Sequence, residues 1–198
     1  LVDGSKIQPG DIAFELEAKT HTILSGERLA LNCMQRMSGI ATLTHLFVEK
    51  IKHTNAKILD TRKTTPLFRQ LEKDAVSIGG GHNHRFGLYD MVMLKDNHID
   101  FCGGIEKAVR KTKKYLEDHQ LDLKIEVETR TIEDIREVLR LGNVDRIMLD
   151  NFTPELMKEG VALINGGIAP DASGGINLNK IVSYAETGVD YTSLGAFT

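Results

Sequence analysis

The chain has 198 residues, 41% of them hydrophobic, enough for one substantial core with a small appendage. Its net charge of −3, from 25 basic against 28 acidic residues, argues against a polyanionic partner such as nucleic acid and confines any anion-binding role to a local cluster. No run approaches the roughly 18 apolar residues that would span a bilayer, no charged-then-apolar leader opens the chain, and Cys33 and Cys102 stand in no metal or redox spacing. The expectation is therefore a cytoplasmic protein with reduced thiols and no membrane contact.

In chain order, Asp3-Gly4 and Pro9-Gly10-Asp11 mark turns, and Ile12, Phe14, Leu16 and Ala18 alternate with polar neighbours as a strand with one buried face does. One alternating strand forms no core alone, so this segment must pack on something else. Ser25 is placed to cap a long helix whose stripe runs through Leu29, Cys33, Met37, Ile40, Thr44, Phe47 and Ile51. Arg28 then falls in the first turn, where a cation opposes the helix dipole unless an anion is held there.

From Ala56 onward short apolar runs alternate with helical stretches. Strands are predicted near 56–60, 91–95, 123–128, 146–150, 168–172 and 190–194, and helices near 66–78, 104–118, 132–141, 154–165 and 178–187. Thr131, Thr153 and Asn177 supply N-caps, Pro154 a first helical position, and Gly142, Gly166 and Gly188 the ends. Strict alternation implies parallel strands with right-handed crossovers, either as an open doubly wound sheet or as a barrel. In Lys124-Ile125-Glu126-Val127-Glu128 the charges share one face, which fits a barrel interior that opens toward a polar site; an edge strand with one wet face fits as well.

The chemistry collects at the strands' carboxyl ends, where parallel α/β folds build their sites. These ends are Asp60-Thr61-Arg62-Lys63, Lys95-Asp96-Asn97, Glu126 and Glu128, Asp150-Asn151, Ser173-Gly174-Gly175, and Gly195. A second basic cluster, His82-Asn83-His84-Arg85, follows the triplet Gly79-Gly80-Gly81. Singly, each has an ordinary alternative: surface charges, or a turn before a cap at Asp150-Asn151. Together, the cationic ends suit carboxylates, since Arg presents a planar two-toothed fork. The acidic ends supply hard oxygen ligands of the kind Mg²⁺ takes, and the glycine loop can aim N–H groups at phosphate.

Three segments, Asp60 to Pro66, the glycine triplet running into Asn83-His84-Arg85-Phe86-Gly87-Leu88, and Lys95-Asp96-Asn97-His98, resemble quinolinate phosphoribosyltransferase, the decarboxylating enzyme of NAD biosynthesis. The resemblance extends from about Asp3 to Thr198. It implies an irregular, incomplete α/β barrel with parallel strands over 26–198, preceded at 1–25 by the end of a small α+β sandwich domain, with the chain a fragment at both ends. It also implies that Arg28, Arg62, His84, Arg85 and Lys95 contact quinolinate. Lys63, Glu128, Asp150, the Ser173-Gly174-Gly175 loop and Gly195 would serve phosphoribosyl pyrophosphate. Of these, Lys63, Lys95, Glu128 and Asp150 form the expected catalytic set, and Glu128 and Asp150 the expected ligands of Mg²⁺. A homodimer in which Arg28 reaches the partner's site is expected as well. His84 has a plain structural histidine as its alternative role. Two other functions remain to be weighed: nicotinate phosphoribosyl transfer without decarboxylation, and a non-catalytic barrel that binds a phosphometabolite.

Overall fold

In the computed structural model, which describes residues 1–198, the apolar runs become six short strands: β1 (Lys57–Leu59), β2 (Val92–Leu94), β3 (Ile125–Thr129), β4 (Arg146–Asp150), β5 (Ala169–Ser173) and β6 (Tyr191–Ser193). All pair in parallel, in the order β1-β6-β5-β4-β3-β2. A doubly wound sheet reverses its strand order near the middle; here the order runs monotonically from β2 to β6 and then returns to β1. The result is a barrel left open along the single seam between β1 and β2.

Strand alternation decides which side chains line that barrel. Ile125, Val127, Ile147, Leu149 and Ala172 point outward into the main hydrophobic core, shared with the surrounding helices. Each such burial of a large aliphatic side chain contributes roughly 1.5–3 kcal/mol. The opposite face carries Glu126, Glu128, Arg146, Met148, Asp150, Asp171 and Ser173 in adjacent register. Of the two explanations for the charged face of β3, the barrel interior is the one realised.

The helices are α1 (Thr20–Ile51), α2 (Arg69–Ile78), α3 (Asp96–Cys102), α4 (Ile105–Asp118), α5 (Ile132–Leu141), α6 (Pro154–Ile164) and α7 (Ile181–Ala185). Thr131 and Thr153 cap as expected, accepting from the N–H of Asp134 (3.1 Å) and Leu156 (3.3 Å). Other details differ from the sequence expectation. α1 begins five residues before Ser25, so Ser25 lies inside the helix and its Oγ donates to the His21 carbonyl at 2.6 Å. Arg28 therefore sits in the third turn, where the dipole argument lapses. Residues 12–18 form no strand, and Ile12, Phe14 and Leu16 are exposed, because no other segment of the chain offers them a ladder. α2 starts at Arg69, just after Leu67 takes a left-handed φ of 63°. α7 shrinks to five residues because Asn177 Oδ1 accepts from the N–H of both Asn179 (3.0 Å) and Lys180 (3.2 Å), which makes a turn of the expected first helical residues.

α1 packs on the barrel only through its second half, burying Ile40, Thr44, Phe47 and Ile51, while Leu24, Leu29 and Arg28 in the first half are exposed. No helix is long and apolar enough to cross a membrane.

The open seam is closed by polar groups. The His82 N–H donates to Ile58 O at 2.8 Å and the Asp60 N–H donates to His82 O at 3.1 Å, a single parallel bridge on the free edge of β1. Beneath it, Lys73 of α2 and Asp60 are both fully buried. Lys73 Nζ donates to Asp60 Oδ1 and to the His84 carbonyl (3.0 Å), and the His84 N–H donates to the same Asp60 oxygen (2.8 Å). The Asn83 amide nitrogen, oriented to satisfy its neighbours, donates to Lys73 O at 2.9 Å and Asp60 Oδ2 at 2.7 Å. Removing one member of such a pair strands a buried charge, so Lys73→Met is expected to cost about 3–5 kcal/mol. Urea unfolding measures this as a lowered midpoint at unchanged slope. A loss below about 1 kcal/mol, the size of an exposed ion pair, would mean that the pair does not hold the seam.

Candidate active site

The barrel's carboxyl-end mouth has a cationic side and an acidic side. Arg62 and Lys63 follow β1, and Arg85 follows the seam segment. The Arg85 guanidinium is half-buried, its Nη1 donating to Met91 O at 3.2 Å, and its loop is held by Asp90, which accepts from the N–H of Phe86 (2.6 Å) and Gly87 (2.8 Å). Burial lowers the Arg85 pKa, the Arg62 charge lowers it further, and Glu126 and Asp90 oppose the change. The buried Arg62 Nε has no protein partner. Two guanidinium groups held within each other's repulsive field are unfavourable alone and favourable around a dianion. Lys63 stays exposed, with Gly195 beside its stem: a Cβ at Gly195 would lie 3.6 Å from Lys63 Cδ.

Across the mouth, burial raises the Glu128 pKa and the Asp150 charge raises it further, while the Asp96 N–H and the Lys95 charge pull it down. Asp150 Oδ2 accepts from Asn151 Nδ2 at 2.6 Å. Asn151, in a left-handed conformation with φ of 58°, lies against Gly174, whose own φ is 97°; a Cβ on Gly174 would collide with the Asn151 amide. The Ser173-Gly174-Gly175 loop is thereby held beside Asp150. Five residues separate Gly175 from α7, so any anion in this loop depends on the loop's own N–H groups and not on a helix end. Lys95 and Asp96 open α3, a helix that the polar run concealed, and His98 Nδ1 accepts from the Lys95 N–H at 3.0 Å, so His98 acts as a cap.

Below the mouth lie His84, Glu126 and Asp171, all buried, with one donor atom of each within 4.8 Å of the others. Asp171 takes Ser193 Oγ–H at 2.7 Å, and burial together with the Glu126 charge raises its pKa well above the usual carboxylate range. His84 Nδ1 accepts from the Arg85 N–H at 2.7 Å, which assigns the ring proton to Nε2. Nε2 lies 2.7 Å from Glu126 Oε2 and 3.9 Å from Asp171 Oδ2. A metal on Nε2 would force the proton onto Nδ1, donor against donor at Arg85, so the cluster is not built as a histidine metal centre. Despite the approach of the ring to Glu126, His84 Nε2 and both Glu126 carboxylate oxygens are buried without a hydrogen-bond partner.

The structure thus brings together Arg62 with Arg85, Glu128 with Asp150 and Lys95, the Ser173–Gly175 loop with Asp150, and Lys63 with Gly195. It leaves Arg28 outside: Arg28 precedes Ile40, the first buried residue of α1, by about 18 Å of helix. Lys73 and Asp171 were missed in the sequence. Asp171 had a signal, a lone charge inside the run Ile168 to Ala172, while Lys73 looked like any solvated helix cation.

These features define an α/β-barrel protein whose strand ends set paired guanidinium groups opposite paired carboxylates. The chain belongs to the quinolinate phosphoribosyl transferase family: residues 40–198 match the family's C-terminal domain and residues 1–38 its N-terminal domain. It is 45% identical over 210 residues to quinolinate phosphoribosyltransferase (decarboxylating) 1b of Nicotiana tabacum, covering 99% of this chain and 59% of that protein. It is also 45% identical over 196 residues to the probable nicotinate-nucleotide pyrophosphorylase (carboxylating) of Bacillus subtilis, covering 99% of this chain and 66% of that one. The crystal structure of NadC from Streptococcus pyogenes superposes with a TM-score of 0.92 at 39% identity, over 100% of this chain and 68% of that chain. The chain spans about six tenths of the length of the plant relatives.

If Asp150 raises the Glu128 pKa by charge, Asp150→Asn should bring it down toward the ordinary value. Carboxyl ¹³C NMR titration in metal-free buffer measures this, and an unchanged or higher Glu128 pKa would show that the two groups do not share a field.

Proposed function

We propose that this chain is the catalytic part of a quinolinate phosphoribosyltransferase, which joins quinolinate to phosphoribosyl pyrophosphate and releases nicotinate mononucleotide, CO₂ and pyrophosphate in NAD biosynthesis. The observation that carries the reading is the pairing at the mouth: Arg62 with Arg85 for an aromatic dicarboxylate, and Glu128 with Asp150 for the metal-bound ribosyl donor. The decarboxylating relatives supply the reaction type.

The pyridine nitrogen lone pair is already a nucleophile, so no general base is needed at the first step. The nitrogen bonds to the ribose C1 as the C1–O bond to pyrophosphate breaks. What the protein contributes is alignment, worth up to about 7–11 kcal/mol when two reactants are held in attack geometry, and charge placed where it develops. Arg62, Arg85 and Lys95 hold the ring carboxylates. Lys63 and the Ser173–Gly175 loop hold the donor's phosphate groups, with Gly195 leaving room for the Lys63 stem. Glu128 and Asp150, hard carboxylates sharing one field, would hold Mg²⁺, which supplies charge neutralisation for pyrophosphate. Once alkylated, the ring is a cationic electron sink. The bond to the 2-carboxylate then breaks, its electron pair stays on the ring carbon and takes up a proton, and CO₂ leaves. His84, whose buried Nε2 has no protein partner, orients quinolinate by a hydrogen bond and serves as a base in neither step.

Transfer to nicotinate without decarboxylation needs a single carboxylate clamp, and the paired arginines favour the dicarboxylate. A non-catalytic binder leaves the Glu128–Asp150 pair without a purpose. The reading extends to a cytoplasmic homodimer: Cys33 and Cys102 are free thiols, and Arg28 stands on the exposed half of α1, out of reach of its own mouth. The decisive assay is CO₂ release by the full-length protein given quinolinate, phosphoribosyl pyrophosphate and Mg²⁺; saturable binding without CO₂ would leave only a binder.

In that assay Arg85→Lys keeps the charge but loses the fork, and should raise the KM for quinolinate by roughly tenfold or more, about 1.4 kcal/mol, while the donor's KM is little changed. Equal affinities would remove Arg85 from the clamp. Mixing inactive Arg28→Ala with inactive Arg62→Ala tests the shared site. After random subunit exchange about half the dimers are mixed, and each mixed dimer holds one intact site, so activity should return to about a quarter of wild type. A mixture that exchanges subunits and stays inactive would place Arg28 in its own chain's site.

A further inference from the structure

The two arginines of the clamp sit on loops of separate origin: Arg62 follows β1, and Arg85 precedes β2. The Asp60–His84 contact at the seam joins the bases of these loops. A third arginine joins them again farther out. Arg69, the first residue of α2, is half-buried and directs its whole fork at the two loops. Its Nε donates to Thr64 Oγ1 at 3.1 Å and its Nη2 to the Arg62 carbonyl at 3.3 Å, both on the first loop. Its Nη1 donates to the Phe86 carbonyl at 3.1 Å on the second, and the guanidinium carbon lies 6.0 Å from the Phe86 ring centroid. None of these partners is a carboxylate. A charged, partly desolvated guanidinium that spends its donors on neutral groups of two loops gains little that an aliphatic side chain and a shorter loop could not supply, unless the spacing itself matters.

The spacing does matter for two guanidinium groups that repel. The Asp60–His84 contact holds only the bases of the loops, and beyond it the repulsion favours a wider gap between Arg62 and Arg85. The planar fork of Arg69 ties the backbone of Arg62 to the residue after Arg85, and a planar group with donors at fixed angles holds its acceptors at a fixed separation. The geometry points to Arg69 as a positioning residue: it sets the gap between Arg62 and Arg85 and thereby makes the site select a pyridine carrying two adjacent carboxylates over one carrying a single carboxylate. This inference rests on the proposed function, and Arg69 itself need touch neither substrate.

A further anchor of the Arg62 loop is separate. Arg36 of α1 donates from Nε (3.0 Å) and Nη2 (2.8 Å) to buried Glu72, whose second oxygen accepts from the Thr65 N–H (2.9 Å). It holds the far end of the Arg62 loop to the helices without touching the Arg85 loop. Loss of Arg69 should therefore loosen the gap while leaving the Arg62 loop attached.

The test uses full-length protein carrying Arg69→Met, with KM values for quinolinate and phosphoribosyl pyrophosphate and the inhibition constant of nicotinate. The expected result is a rise of roughly tenfold in the KM for quinolinate, about 1.4 kcal/mol. The donor's KM and the nicotinate constant should change far less, so that selectivity for two carboxylates falls. If wild type releases no CO₂ from quinolinate, the proposed function fails before Arg69 is in question. If wild type is active and the variant keeps the wild-type quinolinate-to-nicotinate ratio, the positioning role is overturned. Equal losses for quinolinate and donor with a lowered Tm would also overturn it, in favour of a general structural role. Should Arg69→Met not fold, Arg69→Lys retains the charge and stem but has one donor group for three acceptors. It should lose the same selectivity at near wild-type Tm, and full retention would defeat the proposal.

Discussion

The buried contact between Asp60 and Lys73 is the constraint on which the barrel and its site both depend. Six strands of three to five residues leave one pair of edges unjoined, and no side chain packing can satisfy the backbone there. Asp60 answers this with one carboxylate that accepts from Lys73, the His84 N–H and the Asn83 amide, drawing the seam segment against β1. Burial raises the Asp60 pKa, and Lys73 and the His84 N–H oppose the rise without cancelling it. The same contact fixes the start of both cationic loops, since Thr61-Arg62-Lys63 follows Asp60 directly and Arg85 follows His84 directly. Closure of the fold and placement of the two arginine loops are one event.

The barrel interior extends the same logic downward. A polar face buried inside a sheet is costly unless its charges are matched. Asp171 has the Ser193 hydroxyl at 2.7 Å and Arg146 at 3.9 Å, and Arg146 in turn lies 4.1 Å over the Tyr191 ring. Glu126 faces His84 and lies within the field of Arg85. The match is incomplete: both Glu126 carboxylate oxygens, Asp171 Oδ1 and His84 Nε2 are buried without a hydrogen-bond partner, so the floor keeps polar groups with capacity to spare.

Much of this architecture was legible in the sequence because it rests on local pattern. All six strands lie where apolar runs predicted them, and the Thr131 and Thr153 caps formed because capping needs only residues three apart. The strand ends also revealed the clusters at Arg62, Glu128 and Asp150. What stayed hidden depends on contacts distant in the chain. Lys73 and Arg69 lie on an amphipathic helix, where cations ordinarily face solvent, and only the seam turns one inward and the other toward two loops. The tautomer of His84 follows from the Arg85 N–H and not from any motif. α3 escaped notice because Lys95-Asp96-Asn97-His98 has the composition of a loop, while its helix is set by a His98 cap that composition does not show. Residues 12–18 erred in the other direction: alternation describes a side chain pattern, but a strand also needs a ladder.

The mouth itself is arranged against its own electrostatics. Burial and then the Arg62 charge push the Arg85 pKa down, and burial and then the Asp150 charge push the Glu128 pKa up, so in neither pair do the two charges favour each other. A fold tolerates such pairs only where rigid elements hold them, and each is held: Arg62 and Arg85 through the seam and Arg69, Glu128 by burial on β3, Asp150 by Asn151 and the constraint at Gly174. Opposite charge brought to either pair would relieve its repulsion. Groups held this way need little reorganisation to meet opposite charge. The price is a site that only a well-closed barrel can keep, which returns the dependence to Asp60 and Lys73.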